Sequence, residues 1–171
     1  MSRRLVVALA CFAAVAGAVE KRLDVPFFAQ EKNGCGAASV AMVAHYWGGR
    51  TATPPSPAQV YQQLYRADRH GVPLADMKRY LEDHGYRAFT VRGEWADLES
   101  HLSKGRPVIV GLKPKRSKGL HFAVLTGAGG DYVWLNDPTR KRPSRVKLAK
   151  FEEQWGYADH WMLLATPAKA E

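Results

Sequence analysis

The feature that most constrains this chain is a cysteine placed at the opening of a strongly helical run, Gln30 to Trp47, reading QEKNGCGAASVAMVAHYW. Val40, Val43, Ala44 and Trp47 fall at helical spacing, which predicts a helix with one buried face, closed by Gly48-Gly49. Ahead of it Asn33 is the expected N-cap, and Gly34-Cys35-Gly36 is expected to let the backbone approach a ligand closely. The thiol of Cys35 then stands at the positive end of the helix dipole, a setting that favours thiolate over thiol. The plainer use of such a cysteine is as a small core residue. The glycine-rich first turn and the preceding Gln30 weigh toward a nucleophile.

Residues 1–18 read as a signal peptide. Ser2-Arg3-Arg4 is a charged start, Leu5 to Ala16 an apolar stretch, and Ala16-Gly17-Ala18 a small-residue cleavage site. The apolar stretch is too short for a permanent transmembrane helix. Export to a periplasm or beyond is therefore expected, with a single mature domain over residues 19–171. A lipid anchor on Cys11 is the alternative, disfavoured because Ala8 stands where a larger apolar residue is usual.

Of 25 basic residues, Arg3 and Arg4 leave with the signal, so the mature chain carries 23 against 16 acidic ones, a net +7. One cysteine remains, which excludes an internal disulfide. The positive balance fits ordinary solubility, acidic partners or association with an anionic envelope surface. Apart from Lys113-Pro-Lys-Arg-Ser-Lys118 and Arg140-Lys-Arg142 the cations are scattered, and no nucleic-acid motif accompanies them.

Along the chain, Leu23 to Phe28 reads as extended. Helices are expected over Ala58 to Arg66, Leu74 to His84 and Trp95 to Lys104, with a strand from Tyr86 to Arg92. From Arg106 the period changes to two. Strands are expected over Pro107 to Leu112, His121 to Thr126 and Tyr132 to Asp137, the last two joined by Gly127-Ala-Gly-Gly-Asp131. A short helix from Leu148 to Trp155 and a strand from Trp161 to Ala165 close the chain. Helices followed by an antiparallel sheet define an α+β domain.

A hairpin loop centred on Gly129 sets His121 directly opposite Asp137, close enough for the carboxylate to hold one imidazole nitrogen. The other nitrogen then faces whatever helix covers the sheet. An acid-oriented base beside a helix-start thiol is the constellation of nucleophilic cysteine catalysis. His45 lies too far along the Cys35 helix to serve, at roughly 15 Å. His84 suits a helix C-terminus, while His70 and His101 read as loop and exposed helix positions. His160 beside Asp159 is the rival base. No Cys-x-x-Cys or His-x-x-x-His pair suggests a metal, and no phosphate-binding glycine loop suggests a nucleotide. No cofactor is expected.

Gln30-x4-Cys35-Gly36-x-Ala38 running into a helix, His121-Phe-Ala-Val124 and Asn136-Asp137-Pro138 together resemble the peptidase C39 family. Its papain-like cysteine peptidases are best known as processing domains of bacteriocin-exporting transporters. Gly71-Val-Pro-Leu74 and Pro107-Val-Ile-Val110 extend the resemblance over most of the mature chain. It implies a papain-like fold with helices packed on the C-terminal sheet, in a free-standing exported form. It also implies Cys35 as nucleophile, His121 as base and acid, Asp137 as orienting group and Gln30 as oxyanion-hole side chain. The expected partner is a peptide or protein substrate, with no nucleotide or nucleic acid. Two other uses of the same residues stay open. One is a transglutaminase-like acyl transfer, the other a silent peptide-binding cleft. A redox role is disfavoured by the lack of a resolving cysteine.

Overall fold

The first helix is buried on every side. In the computed structural model, which describes residues 21–48, 53–117 and 119–168, helix α1 spans Cys35–Tyr46, and each residue from Gly36 to Ala44 is buried. The expectation of one buried face is thus corrected. A run of Gly, Ala, Ser and Val has little side chain to shed, so neighbours close on it from all directions. Gly36 shows how tightly. A Cβ there would lie 2.9 Å from Cβ of Val72 and 3.0 Å from Sδ of Met77. At Gly34 it would meet the Tyr61 ring at 2.7 Å. These glycines admit the protein's own side chains rather than a ligand.

Helix α2, Pro57–Leu64, starts at Ser56 with a reciprocal capping box to Gln59, and buries Val60 and Leu64 against α1. It stops short of Arg66, whose amide donates to the carbonyl of Gly71 at 2.9 Å and closes a small loop. Helix α3, Leu74–Asp83, buries Met77, Tyr80 and Leu81 and ends at Gly85, whose φ of +82 suits the residue. Helix α4 is Trp95–Ser103 and α5 is Leu148–Gly156.

All strand pairings are antiparallel. The strands are β1 (Lys21–Arg22), β2 (Tyr86–Arg92), β3 (Val108–Leu112), β4 (His121–Gly129), β5 (Tyr132–Asn136), β6 (Ser144–Lys147) and β7 (Trp161–Pro167). Their order is β2-β7-β3-β4-β5-β6, with β1 on the part of β4 that β3 does not reach. Every residue of β3 is buried, so both faces of the sheet centre are covered. Helix α1 packs on β3 and β4, and α5 packs on β3, β5 and β6. This is the expected α+β architecture.

The differences from expectation lie mainly in the sheet. Strand β4 runs on through Gly127-Ala-Gly129, leaving only Gly130 and Asp131 as the turn. Strands β1 and β6 were not expected. The four residues Ser-Arg-Val-Lys of β6 carry little apolar signal and become a strand by pairing with β5. The expected signal segment, residues 1–18 with Cys11, lies outside the described residues. Among those described, no helix is long and apolar enough to cross a membrane.

Candidate active site

Three separate parts of the chain converge at the start of α1. The loop before the helix is pinned by the Tyr61 hydroxyl, which donates to the Lys32 carbonyl at 3.0 Å. The N-cap is Gly34 and not Asn33; Asn33 takes a left-handed turn at φ 56 and makes no side-chain cap. Cys35 follows as the first helical residue, half-buried and free of any disulfide. The first amides of a helix have no intrahelical acceptor, so they point donors into the space beside the thiol.

His121 opens β4. Its Nε2 lies 2.7 Å from Oδ1 of Asp137, just beyond the end of β5. The contact is as expected, but it arises by another register. Near the turn Gly129 pairs with Tyr132 and Gly127 with Trp134. Continued unchanged, that register would send Asp137 to the face opposite His121. The ladder slips between Leu125 and Gly127, so that Leu125 pairs with Leu135 and Val124 with Asn136. A bulge at Thr126 restores the parity. Asp137 then sits diagonal to His121 on a shared face. The carbonyl of Thr126 accepts the Leu23 amide at 2.7 Å, so the bulge also seats the chain beyond β1.

Asp137 is held on both sides. Its Oδ1 also accepts the Thr139 amide at 3.0 Å and the Thr139 hydroxyl at 2.7 Å. Arg140 Nε stands 3.8 Å from Oδ2. Burial alone would raise this carboxyl, but the hydrogen bond from His121, its charge and the Thr139 donors outweigh it and bring it down to about 2. Burial likewise disfavours the charged imidazole of His121. Hydrogen bonds to Asp137 and Cys35, with the charges of both, overcome that and raise it to about 9. With Nε2 committed to Asp137, Nδ1 is the nitrogen left for Cys35.

These shifts describe one coupled pair, contributing ~2 kcal/mol counted once. Asp137 is lowered from its ordinary 3.8, so its share is present above that value and lost as pH falls toward about 2. His121 is raised from 6.5, so its share is full below 6.5 and lost as pH rises through about 9. Denaturant midpoints are therefore expected to be flat between about pH 4 and 6.5 and to fall on both flanks. In Asp137→Asn the contribution of the pair to both flanks should vanish. A wild-type curve superimposable on that of the variant would contradict the pairing.

Gln30 joins the site through the backbone. Its amide donates to the Pro138 carbonyl at 3.0 Å, tying the loop before α1 to the loop that carries Asp137. Its side-chain Oε1 is buried without a hydrogen-bond partner among the described residues. Gln30, Cys35 and His121 line one cavity of about 540 Å³, walled by Val72, Pro73, Leu74, Leu120 and Phe122. Asn33, Arg69, His70 and Thr139 add polar groups around this apolar wall, so that the cavity offers both kinds of contact to a bound chain.

The other histidines fall elsewhere, with one exception. His45 Nε2 meets the Pro55 carbonyl at 3.0 Å, and His84 Nδ1 meets the Tyr80 carbonyl at 2.7 Å. The rival His160 is exposed in the turn before β7 and packs edge-on against Trp155, while Asp159 bonds Arg92. His101 is half-buried rather than exposed. Its Nδ1 has no partner among the described residues, and burial first, then Arg106 and Lys104, push its pKa down. His70 is indeed a loop residue, but the small loop closed by Arg66 and Gly71 brings it and Arg69 to the rim of the Cys35 cavity. Thr139 was missed by the sequence reading, although Asp-x-Thr is a recognisable side-chain turn.

A helix-start cysteine facing a sheet-borne histidine and aspartate defines the papain-like cysteine peptidase architecture. Within that class, the model of the Peptidase_C39 like family matches residues 22–161, and the chain belongs to this family. It is 34% identical over 126 residues to the probable functional amyloid protease FapD of Pseudomonas aeruginosa, covering 71% of this chain and 52% of that protein. The corresponding protein of Pseudomonas fluorescens is 33% identical over 120 residues, covering 65% and 49%. The chain thus spans about half the length of these relatives. A double glycine motif protease from an AMS/PCAT transporter, solved with its leader peptide, superposes with a TM-score of 0.67 at 26% identity, over 89% of this chain and 98% of that one. The peptidase domain of Streptococcus ComA gives 0.62 at 16% identity, over 85% and 98%, and supports the fold alone.

Proposed function

We propose that this chain is an exported cysteine peptidase that hydrolyses peptide bonds through Cys35, His121, Asp137 and Gln30. The observation that carries the reading is His121, bonded to Asp137 at 2.7 Å and lining the same cavity as Cys35, whose thiol helps to raise the imidazole pKa. The Cys35 sulfur attacks the scissile carbonyl carbon as thiolate. Oxygen charge develops toward the side-chain Nε2 of Gln30 and the free amides at the start of α1. His121, as imidazolium, gives its proton to the leaving amine as the C–N bond breaks. A thioester on Cys35 remains. Water then attacks it, His121 accepts one water proton, the C–S bond breaks, and the acid product leaves, its own proton passing to solvent, with thiolate and imidazolium restored. Asp137 keeps the ring in one orientation throughout.

The leader-peptide complex of the double glycine motif protease supports a peptide in the 540 Å³ cavity, and the FapD relatives support a protein substrate. The decisive test exposes a proteome-derived peptide library to wild type and to Cys35→Ala. Cuts that appear with wild type and vanish with the variant are expected. Identical peptide populations from both proteins would overturn the reading. Export rests on Ser2-Arg3-Arg4, the apolar stretch after it and Ala16-Gly17-Ala18. N-terminal sequencing of the exported protein should find Val19 first; an intact Met1 or a lipid on Cys11 would contradict this.

A further inference from the structure

We infer that the hollow running from Thr139 to Arg145 is a subsite for an acidic flank of the peptide substrate, an inference that rests on the peptidase reading above. The hollow is about 710 Å³ and adjoins the Cys35 cavity through Thr139, which lines both. Its lining holds four cations, Arg140, Lys141, Arg142 and Arg145, and no carboxylate. Arg140 is drawn toward Asp137, and Arg145 lies 3.9 Å over the Tyr132 ring. Lys141 and Arg142 are exposed and, among the described residues, have no carboxylate partner.

The segment is held in place. The Arg140 amide donates to the Asp137 carbonyl at 2.9 Å at one end, and Ser144 pairs with Leu135 at the other. Pro143 stiffens the approach to β6. A short, anchored run of cations concentrates positive potential in a concave surface, where acidic side chains gain most. Because the hollow and the cleft meet at Thr139, a peptide bound across Cys35 would lay one flank toward it.

Two other polyanions fit less well. No aromatic ring lines the hollow to stack a base. The Tyr132 and Trp134 rings nearby are covered by Arg145 and Arg22. A membrane surface would be gripped better with apolar side chains beside the cations. Of the exposed large apolar side chains, none lines the hollow: Leu120 belongs to the Cys35 cavity, Tyr157 follows α5, and Phe89 and Val91 stand on β2, at the opposite edge of the sheet from β6.

The test uses Lys141→Glu/Arg142→Glu, with Lys141→Gln/Arg142→Gln as a milder companion should the first fail to fold. In the peptide library, Asp and Glu should be enriched on one side of the Cys35-dependent cuts. That preference should fall about tenfold in the doubly charge-reversed protein. A second arm needs no turnover. Two fluorescein-labelled peptides, alike except that a block of Glu in one is Gln in the other, are titrated into Cys35→Ala protein. The Glu peptide should bind about tenfold more tightly, with the contrast shrinking as salt rises and vanishing in the charge-altered background. Equal binding of the two peptides would overturn the subsite even if the chain cuts peptides. A contrast with no Cys35-dependent cuts would leave the subsite standing and remove the peptidase. Binding to anionic-lipid vesicles that is lost in the double variant, without any contrast between the peptides, would reassign the cations to a membrane and overturn the proposal.

Discussion

Replacing His121 by alanine is expected to lower kcat by a factor of about 10⁴–10⁶, among the largest effects of any single change in this chain. In the proposed mechanism the ring acts twice, as acid toward the leaving amine and as base toward water, and nothing nearby can stand in for it. His45 and His84 are engaged with backbone carbonyls, and His160 packs on Trp155. His70 lines the same cavity but is exposed on its rim. The fold should tolerate the change, because Asp137 keeps both bonds from Thr139 when the imidazole is gone. The expected loss of stability is ~2 kcal/mol near neutral pH, the contribution of the pair. Steady-state kinetics on a peptide cut by wild type, together with denaturant unfolding, separates the two effects. A variant that unfolds with its activity would point to a structural histidine instead.

The second large effect concerns Gln30. An oxyanion donor touches the substrate weakly in the ground state and strongly once the carbonyl oxygen carries charge. Removing one such donor typically costs ~10²–10³ in kcat, or roughly 3–4 kcal/mol of transition-state stabilisation. Gln30→Ala should therefore lower kcat by about that factor while KM stays nearly constant. The structure gives a reason to expect the effect to be selective. The tether from Gln30 to Pro138 is made by the backbone amide, which alanine retains. The side-chain oxygen makes no hydrogen bond among the described residues, so no such bond is lost with it. If the glutamine only braced the loop, the variant would instead lose stability and thiol reactivity together, with no selective fall in turnover.

The candidate site was largely legible because its two halves are locally encoded. Helical spacing after Cys35 marks where α1 starts, and alternation around His121 and Asp137 marks a hairpin. Neither pattern could reveal the bulge at Thr126, because it depends on how β4 meets β5 and on the Leu23 amide reaching across. The assumed hairpin centre placed the right residues together by the wrong register, and the bulge supplied the missing parity. Strand β6 escaped notice for a related reason: its pairing lies outside its own four residues. His101 read as exposed because helical phase says nothing about the chain that follows. The Arg106 amide returns to the His101 carbonyl at 2.9 Å, and the ring is half covered. The all-round burial of α1 also lay beyond periodicity, because a helix of small residues has no strongly polar face to reveal which side is exposed.

The central claim, that Cys35 is a nucleophile activated by His121, is tested most directly with a peptidyl vinyl sulfone built on a sequence that wild type cuts. The account predicts one inhibitor per chain, attached to Cys35 in the intact mass and its fragments, with activity lost in step with labelling. In His121→Ala the labelling rate should collapse while the protein stays folded. Labelling that proceeds as fast without His121, or full turnover after Cys35 is blocked, would contradict it.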